Sequence, residues 1–235
     1  MPGNGNTHRP EDRENFSTAL KLLREKLDSL TEVTNKDYLL TIAAGANQGY
    51  LDHVDMDVVS NYLDFINLMT YDFHGGWEQK TGHHANLSLS IMDDNAYRYS
   101  IQATIDLFIK DGAPVEKLII GVPFYGRWWR CVLPANQGLY QPFDGPSGVY
   151  NYSVIEDSLL NTSAFEVKWD SSANVPYIWN EKDSIFISFE DQRSLEIKLQ
   201  FLKDKGMKGV MFWQLNGDNG DLMNTIADTF KKGPN

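Results

Sequence analysis

Apolar positions along this chain switch between helical and strand spacing in a regular order. Phe16, Leu20, Leu23, Leu27 and Leu30 recur every three or four residues, one apolar stripe on a helix over 10–30. Pro10 suits its first turn, and Glu11 and Asp12 favour the positive end of its dipole. The run YLLTIAAGA (38–46) reads as a buried strand ending in small residues, VVSNYL (58–63) as a short helix and FINLMTYDF (65–73) as the next strand. After a polar loop, Asp94 is placed to cap a helix ending near residue 110, with Tyr99, Ala103 and Leu107 on one face and Gly112 and Pro114 closing it. KLIIGVPFYG (117–126) is a third strand. A helix over 191–205 (Leu195, Leu199, Leu202), a fourth strand GVMFWQLN (209–216) and a helix striped by Leu222, Ile226 and Phe230, capped by Asp218 or Asn219, complete the series.

The order is a helix, then strand and helix alternating four times. Strands apolar on both faces belong to a parallel sheet covered by helices. Only 127–190 breaks the order: it is rich in Trp, Tyr, Asn, Ser and Gly, with short strand-like runs FEVKW and SIFISF. That is too long for a plain connection, so a small α+β insertion is expected there, within an α/β unit made of 1–126 and 191–235.

Composition removes several functions. A net charge of −11 and a pI of about 4.8 argue against nucleic acid or an anionic membrane as partner. No apolar stretch approaches the roughly 20 residues that span a bilayer, and the polar N-terminus has no signal-peptide core. No membrane association is expected, and the chain carries no localisation signal of its own. The single cysteine, Cys131, rules out an internal disulfide framework and is read as a small buried hydrophobe. His83 and His84 are adjacent, without the spacing of a helical metal pair, and there is no phosphate loop, nucleophile elbow or zinc motif. Neither metal nor cofactor is expected.

Chemistry gathers instead at strand ends. The second strand ends in Met69, Tyr71 and Asp72; the third ends in Tyr125 and runs on to Arg127, Trp128 and Trp129; the fourth ends in Trp213, Gln214 and Asn216. In parallel α/β folds the C-terminal ends of strands face the ligand. A period of two puts Met69 and Tyr71 on one face and Thr70 and Asp72 on the other. Indole and phenol rings pack on the C–H faces of sugars, while Asp, Arg and Asn can satisfy hydroxyls at the edge. Core packing is the alternative role for such aromatics, but three strand ends share the pattern.

These residues resemble chitinases of glycoside hydrolase family 18. NLMTYDFHGGWEQKTGHHANL resembles the family's sixth-strand signature, Met-x-Tyr-Asp with its Gly-Trp loop. KLIIGVPFYGRWW resembles the seventh strand, GVMFWQLNGD the eighth, and YLLTIAAGA the fifth, with 127–190 in the place of an α+β module some members carry. The resemblance implies a partial (β/α)8 TIM barrel, family strands five to eight, and hydrolysis of β-1,4-linked N-acetylglucosamine polymers with retention. In that mechanism the substrate's acetamido oxygen attacks the anomeric carbon and a glutamic acid protonates the leaving oxygen, outside the two-carboxylate scheme. By matching position, Tyr71 would bind the acetamido oxygen, Asp72 a sugar hydroxyl, and Met69 would pack beneath the acetamide. Trp213 would stack under the ring, Tyr125 and Arg127 would contact adjacent sugars, and Trp77 a product-side sugar. Gln214 departs from the acidic residue often found after the floor Trp.

The family's general acid ends a D-x-x-D-x-D-x-E motif on strand four, and this sequence does not contain it. DHVDMDVV (52–59) imitates the motif, with Val59 in place of Glu, but lies between strands five and six. The chain therefore reads as the second half of a barrel, inactive alone. A non-catalytic chitin- or oligosaccharide-binding module is the alternative, and a truncated or processed remnant without a role is a third reading. Open strand edges imply self-association, or completion by a separate N-terminal half. Family habit suggests secretion of the parent protein.

Overall fold

The computed structural model describes residues 5–94 and 99–231. Helix α1 (Asp12–Thr34) leads to strand β1 (Thr41–Gly45), two short helices, α2 (Gln48–Leu51) and α3 (Met56–Val59), and strand β2 (Phe65–Met69). Helix α4 (Ile101–Lys110) precedes β3 (Leu118–Pro123). A second set of strands follows: β4 (Tyr125–Trp129), β5 (Ser147–Asn151), β6 (Glu166–Asp170), β7 (Val175–Asn180) and β8 (Ile185–Ser188), with helix α5 (Tyr152–Val154) after β5. Helix α6 (Gln192–Asp204), β9 (Gly209–Trp213) and α7 (Asp221–Lys231) complete the order.

Two sheets result. The first is four-stranded in the order β1-β2-β3-β9, and every pairing is parallel. The second is five-stranded in the order β5-β4-β8-β7-β6, and every pairing is antiparallel. The parallel sheet with its helices is a partial (β/α)8 barrel that does not close: among the described residues β1 and β9 each have an unpaired side. Period two separates its faces. Ile66, Leu68, Ile120 and Val122 point to the helices and are buried, with Ile105, Phe108, Leu195 and Leu199 packed against them. Ala43, Asn67, Met69, Gly121, Met211 and Trp213 share the other, concave face by register.

Thr70 pegs β2 to β3: its hydroxyl donates to the Gly121 carbonyl at 2.8 Å and accepts the Gly121 N–H at 2.9 Å. Gly121 itself is required by space. A Cβ there would lie 2.6 Å from the Leu68 carbonyl oxygen and 2.8 Å from both Met211 Cε and Tyr71 Cε1.

Several expectations change. Only Leu20 of the α1 stripe is buried; Leu23 and Leu30 are exposed, as is Val33, because the helix lies at the open end of the sheet. Ser100, not Asp94, caps α4, accepting the Ala103 N–H at 3.1 Å, while Asp94 pairs with Lys80 at 2.8 Å. Residues 95–98, placed in that helix from the sequence, lie outside the described residues. Cys131 is not buried: it is exposed, in a left-handed turn with φ of 54°. The strand expected over 117–126 is divided, and Tyr125 belongs to β4 of the antiparallel sheet. Asp55 of the imitation motif caps α3, and Val59 is buried on that helix.

A buried charge pair ties the parts together. Lys198 on α6 donates to the Ala85 carbonyl at 2.6 Å and to Glu190 Oε2, and both charged side chains are fully buried. Ser194 Oγ donates to the other Glu190 oxygen at 2.5 Å. One cluster thus joins the end of the antiparallel sheet, the loop after β2 and helix α6. Asp170 at the end of β6 does similar work: its carboxylate accepts from Ser90 Oγ at 2.6 Å and Ser172 Oγ at 2.6 Å, with His83 Nε2 at 3.1 Å.

Candidate functional site

A cleft of about 420 Å³ opens at the C-terminal end of the parallel strands, lined by Asn47, Met69, Tyr71, Asp72, Trp77 and Glu78 among others. Its floor begins where β2 stops. Met69 is the last strand residue, and Tyr71 lies over Gly121 beside Met211, on the concave face. Trp213 stands two residues beyond Met211 on the same face, 57% exposed, and the Trp213–Gln214 peptide is cis.

Asp72 does not continue the alternation. Its φ of 61° is left-handed, a conformation that Asp tolerates better than most residues. The turn ends the strand's alternation of faces and puts Asp72 in the same cleft as Tyr71, rather than on the opposite side. There the Asp72 Oδ1 accepts from the Tyr125 hydroxyl at 2.6 Å and from Arg127 Nε at 2.7 Å. His84 Nδ1 lies 3.8 Å away, an electrostatic contact longer than a hydrogen bond. The Arg127 guanidinium in turn lies 4.4 Å from the Trp77 ring centroid. The antiparallel sheet therefore supplies two of the polar side chains that the parallel sheet's cleft uses.

Protonation states follow from these neighbours. Burial by itself would raise the Asp72 pKa, but contacts from His84, Arg127 and Tyr125 outweigh it and hold the carboxyl well below the usual range. Burial lowers His84 to about 4, against the opposing pull of Asp72, so its imidazole is neutral at pH 7. Tyr71 is pushed up by burial and then by the Asp72 charge, and Tyr125 likewise, so both are neutral phenols. The Tyr125 proton is committed to Asp72. The Tyr71 hydroxyl has no hydrogen-bond partner among the described residues, so it remains available to a ligand. The cleft offers a free phenol donor, an ion pair at its rim and two exposed indoles, Trp77 and Trp213.

The profile of Glycosyl hydrolases family 18 matches residues 1–218. This chain belongs to that family. As a family 18 chain it is 36% identical to Chitinase A1 of Niallia circulans over 244 residues, 97% of this chain and 35% of that protein. Chitinase ChiA74 from Bacillus thuringiensis superposes with a TM-score of 0.92 at 36% identity, covering 98% of this chain and 42% of that one. A glycoside hydrolase family 18 N-acetylglucosaminidase from Paenibacillus barengoltzii gives 0.89 at 37% identity, covering 95% and 65%. The family 18 chain spans only part of its curated relatives, 31% of Chitinase A of Pseudoalteromonas piscicida and 48% of Endochitinase 1 of Metarhizium robertsii.

Met69, Tyr71, Asp72 and Trp77 line one cleft. Tyr125 and Arg127 are bound to its Asp72, and Trp213 shares its concave floor. His83 and His84 diverge toward separate carboxylates, Asp170 and Asp72. Among the described residues no group of His, Cys, Asp and Glu has the arrangement to hold a metal ion. Asn47 was missed. It lines the cleft while its side chain caps α2, accepting the Tyr50 N–H at 2.9 Å. Its place just beyond the first strand was the available signal.

Proposed function

We propose that this chain is the sugar-binding wall of a chitinase-type glycoside hydrolase for β-1,4-linked N-acetylglucosamine polymers. One observation carries the reading: Tyr71 presents a neutral hydroxyl, unpartnered among the described residues, over the concave floor that Trp213 shares, beside a rim where Asp72 fixes Arg127 under Trp77. A phenol that stays neutral can donate to an acetamide oxygen. Exposed indoles can stack on sugar faces, and the Asp72–Arg127 pair can exchange part of its bonding with hydroxyls. The chitinase names of the relatives support the same substrate class.

The chain on its own binds and does not cleave. Its sequence has no D-x-x-D-x-D-x-E, and loss of a general acid typically costs about 10²–10⁴-fold in rate. Titration calorimetry with N-acetylglucosamine hexamer is expected to show binding, weakened roughly tenfold by Trp213→Ala, with no turnover of a chromogenic chitobiose substrate. Absence of binding defeats the reading, and turnover by the pure chain defeats its second half. Turnover on adding a fragment that bears the acidic motif marks the chain as half of a working enzyme. A purely binding role is favoured if the hexamer binds and no such fragment restores cleavage.

The open sheet also bears on assembly. The unpaired sides of β1 and β9, with exposed Leu22, Leu23, Leu30 and Val33 on α1, leave backbone groups and apolar surface uncovered among the described residues. Self-association that rises with concentration, together with binding of an apolar dye, is the expected outcome in light scattering and fluorescence. A monomer at all concentrations with no dye signal contradicts it.

A further inference from the structure

Trp77 is 61% exposed, so few contacts of its own fix the ring. Three features of its loop do so instead. Arg127, held by Asp72, covers one ring face. The two preceding glycines leave no slack: a Cβ on Gly75 would lie 2.3 Å from the Trp77 ring, and one on Gly76 1.8 Å from Ser147 Oγ. The third feature is His74, 4% exposed, which closes the loop from inside. Its Nδ1 donates to Glu78 Oε2 at 2.7 Å, and its Nε2 faces Asp93 Oδ2 at 3.8 Å. The Glu78 N–H also donates to the Gly75 carbonyl at 3.1 Å, so the turn that carries Trp77 is pinned at both ends by this pair of residues.

We infer that His74 is a positioning residue: its buried ring, hydrogen-bonded to Glu78 and facing Asp93, holds the Trp77 ring in the orientation that receives a sugar. This rests on the cleft being a carbohydrate site. The Tyr140 and Tyr99 rings make T-shaped contacts with the imidazole, their centroids 5.7 and 6.4 Å away. A Cβ on Gly82 would touch the imidazole at 2.4 Å. Lys80 shares the crevice but is paired with Asp94, and His83 is held low by burial and faces Asp170. Burial would strip the proton from His74, but the two carboxylates outweigh it and push the pKa up to about 9. A folded value above the ordinary one of about 6.5 means that the clamp's contribution is complete below that pH. It is lost as pH rises through the folded value.

The test measures hexamer affinity by calorimetry from about pH 6 to about pH 10 for the unmodified chain, Glu78→Gln, Trp77→Ala and the double variant, with ¹⁵N NMR of the His74 ring and the Trp77 indole N–H. In the unmodified chain, affinity should hold to about pH 8 and fall about tenfold beyond it. In Glu78→Gln the fall should move to a pH about one unit or more lower. Trp77→Ala should bind weakly with a flat profile, and Glu78→Gln should add nothing to it. A profile flat to about pH 10 in the unmodified chain overturns the inference, as does an equal loss from Glu78→Gln in the Trp77→Ala background. If no hexamer binds, the carbohydrate reading fails separately and NMR still decides the clamp. A ring midpoint near 9, with indole exchange accelerated by Glu78→Gln, supports it; a midpoint near the ordinary value of about 6.5 rejects it.

Discussion

Lys198→Met is expected to destabilise the chain by about 3–5 kcal/mol, the usual loss when one partner of a buried ion pair is removed. The Glu190 carboxylate would remain fully buried, with Ser194 as its only remaining side-chain donor among the described residues. The Ala85 carbonyl would lose its ammonium donor as well. Burial already pushes the Glu190 pKa up, with Lys198 pulling it back. Without the ammonium, the folded carboxyl keeps its proton to higher pH than the unfolded one. Stability of the variant therefore falls as pH rises above the ordinary carboxylate range of about 4. Urea unfolding at acid and neutral pH measures both the size and the sign. Replacing both residues by apolar ones of similar volume, Glu190→Leu with Lys198→Met, should recover most of the loss, because the cost lies in the unpaired charge rather than in the absence of the pair. A single variant within about 0.5 kcal/mol of the parent would show that the pair is not sealed from water.

The second large effect is at Asp72. Asp72→Ala removes the shared acceptor of the Tyr125 hydroxyl and Arg127. Hydrogen bonds to charged groups contribute about 1.5–3 kcal/mol, and the lower figure applies because the Asp72 side chain keeps 34% of its surface exposed. Hexamer affinity should fall further than stability, by roughly a hundredfold, since Arg127 and Trp77 lose their anchor together. Asp72→Asn tolerates the same left-handed backbone and should keep part of the affinity. The acid dependence has the opposite sign to that of His74. A carboxyl held below its ordinary value stabilises the fold above about pH 4 and loses that contribution as pH falls through the folded value. Calorimetry and thermal unfolding of both variants, compared at neutral and acid pH, check this. Equal affinity for Asp72→Ala and the parent would remove Asp72 from the site.

Periodicity reached the architecture because it records burial. The helical stripe at 195–202, Leu222 and Ile226 of the last helix and one face of the apolar runs in the parallel strands correspond to surfaces that the fold covers, while Phe230, at the end of the last stripe, stays exposed. It was least accurate where covering is incomplete or where two parts meet. The α1 stripe promised a buried face, yet Leu23 and Leu30 stand in solvent, because spacing says nothing about whether a partner is present. The run 117–126 carries no mark of the break at Phe124, where the backbone leaves the parallel sheet and Tyr125 begins the antiparallel one. Cys131 looked like a core residue by type, but a left-handed turn left it outside.

The chain's own letters were enough for a partial barrel with an interruption, and for a cluster of aromatic and polar residues at the ends of its strands. Apolar period and strand-end chemistry are local properties, written within a few residues. Tertiary structure alone put Asp72 between Tyr125 and Arg127, gave Trp77 a guanidinium beneath it, buried Glu190 with Lys198, and surrounded His74 with two carboxylates. The contacts of Asp72 and Trp77 with Tyr125 and Arg127 join segments distant in sequence, whereas Glu190–Lys198 and His74–Glu78 are near neighbours along the chain that only tertiary packing buries. Charge states and ring orientations depend on distance and burial, which exist only once the chain has folded.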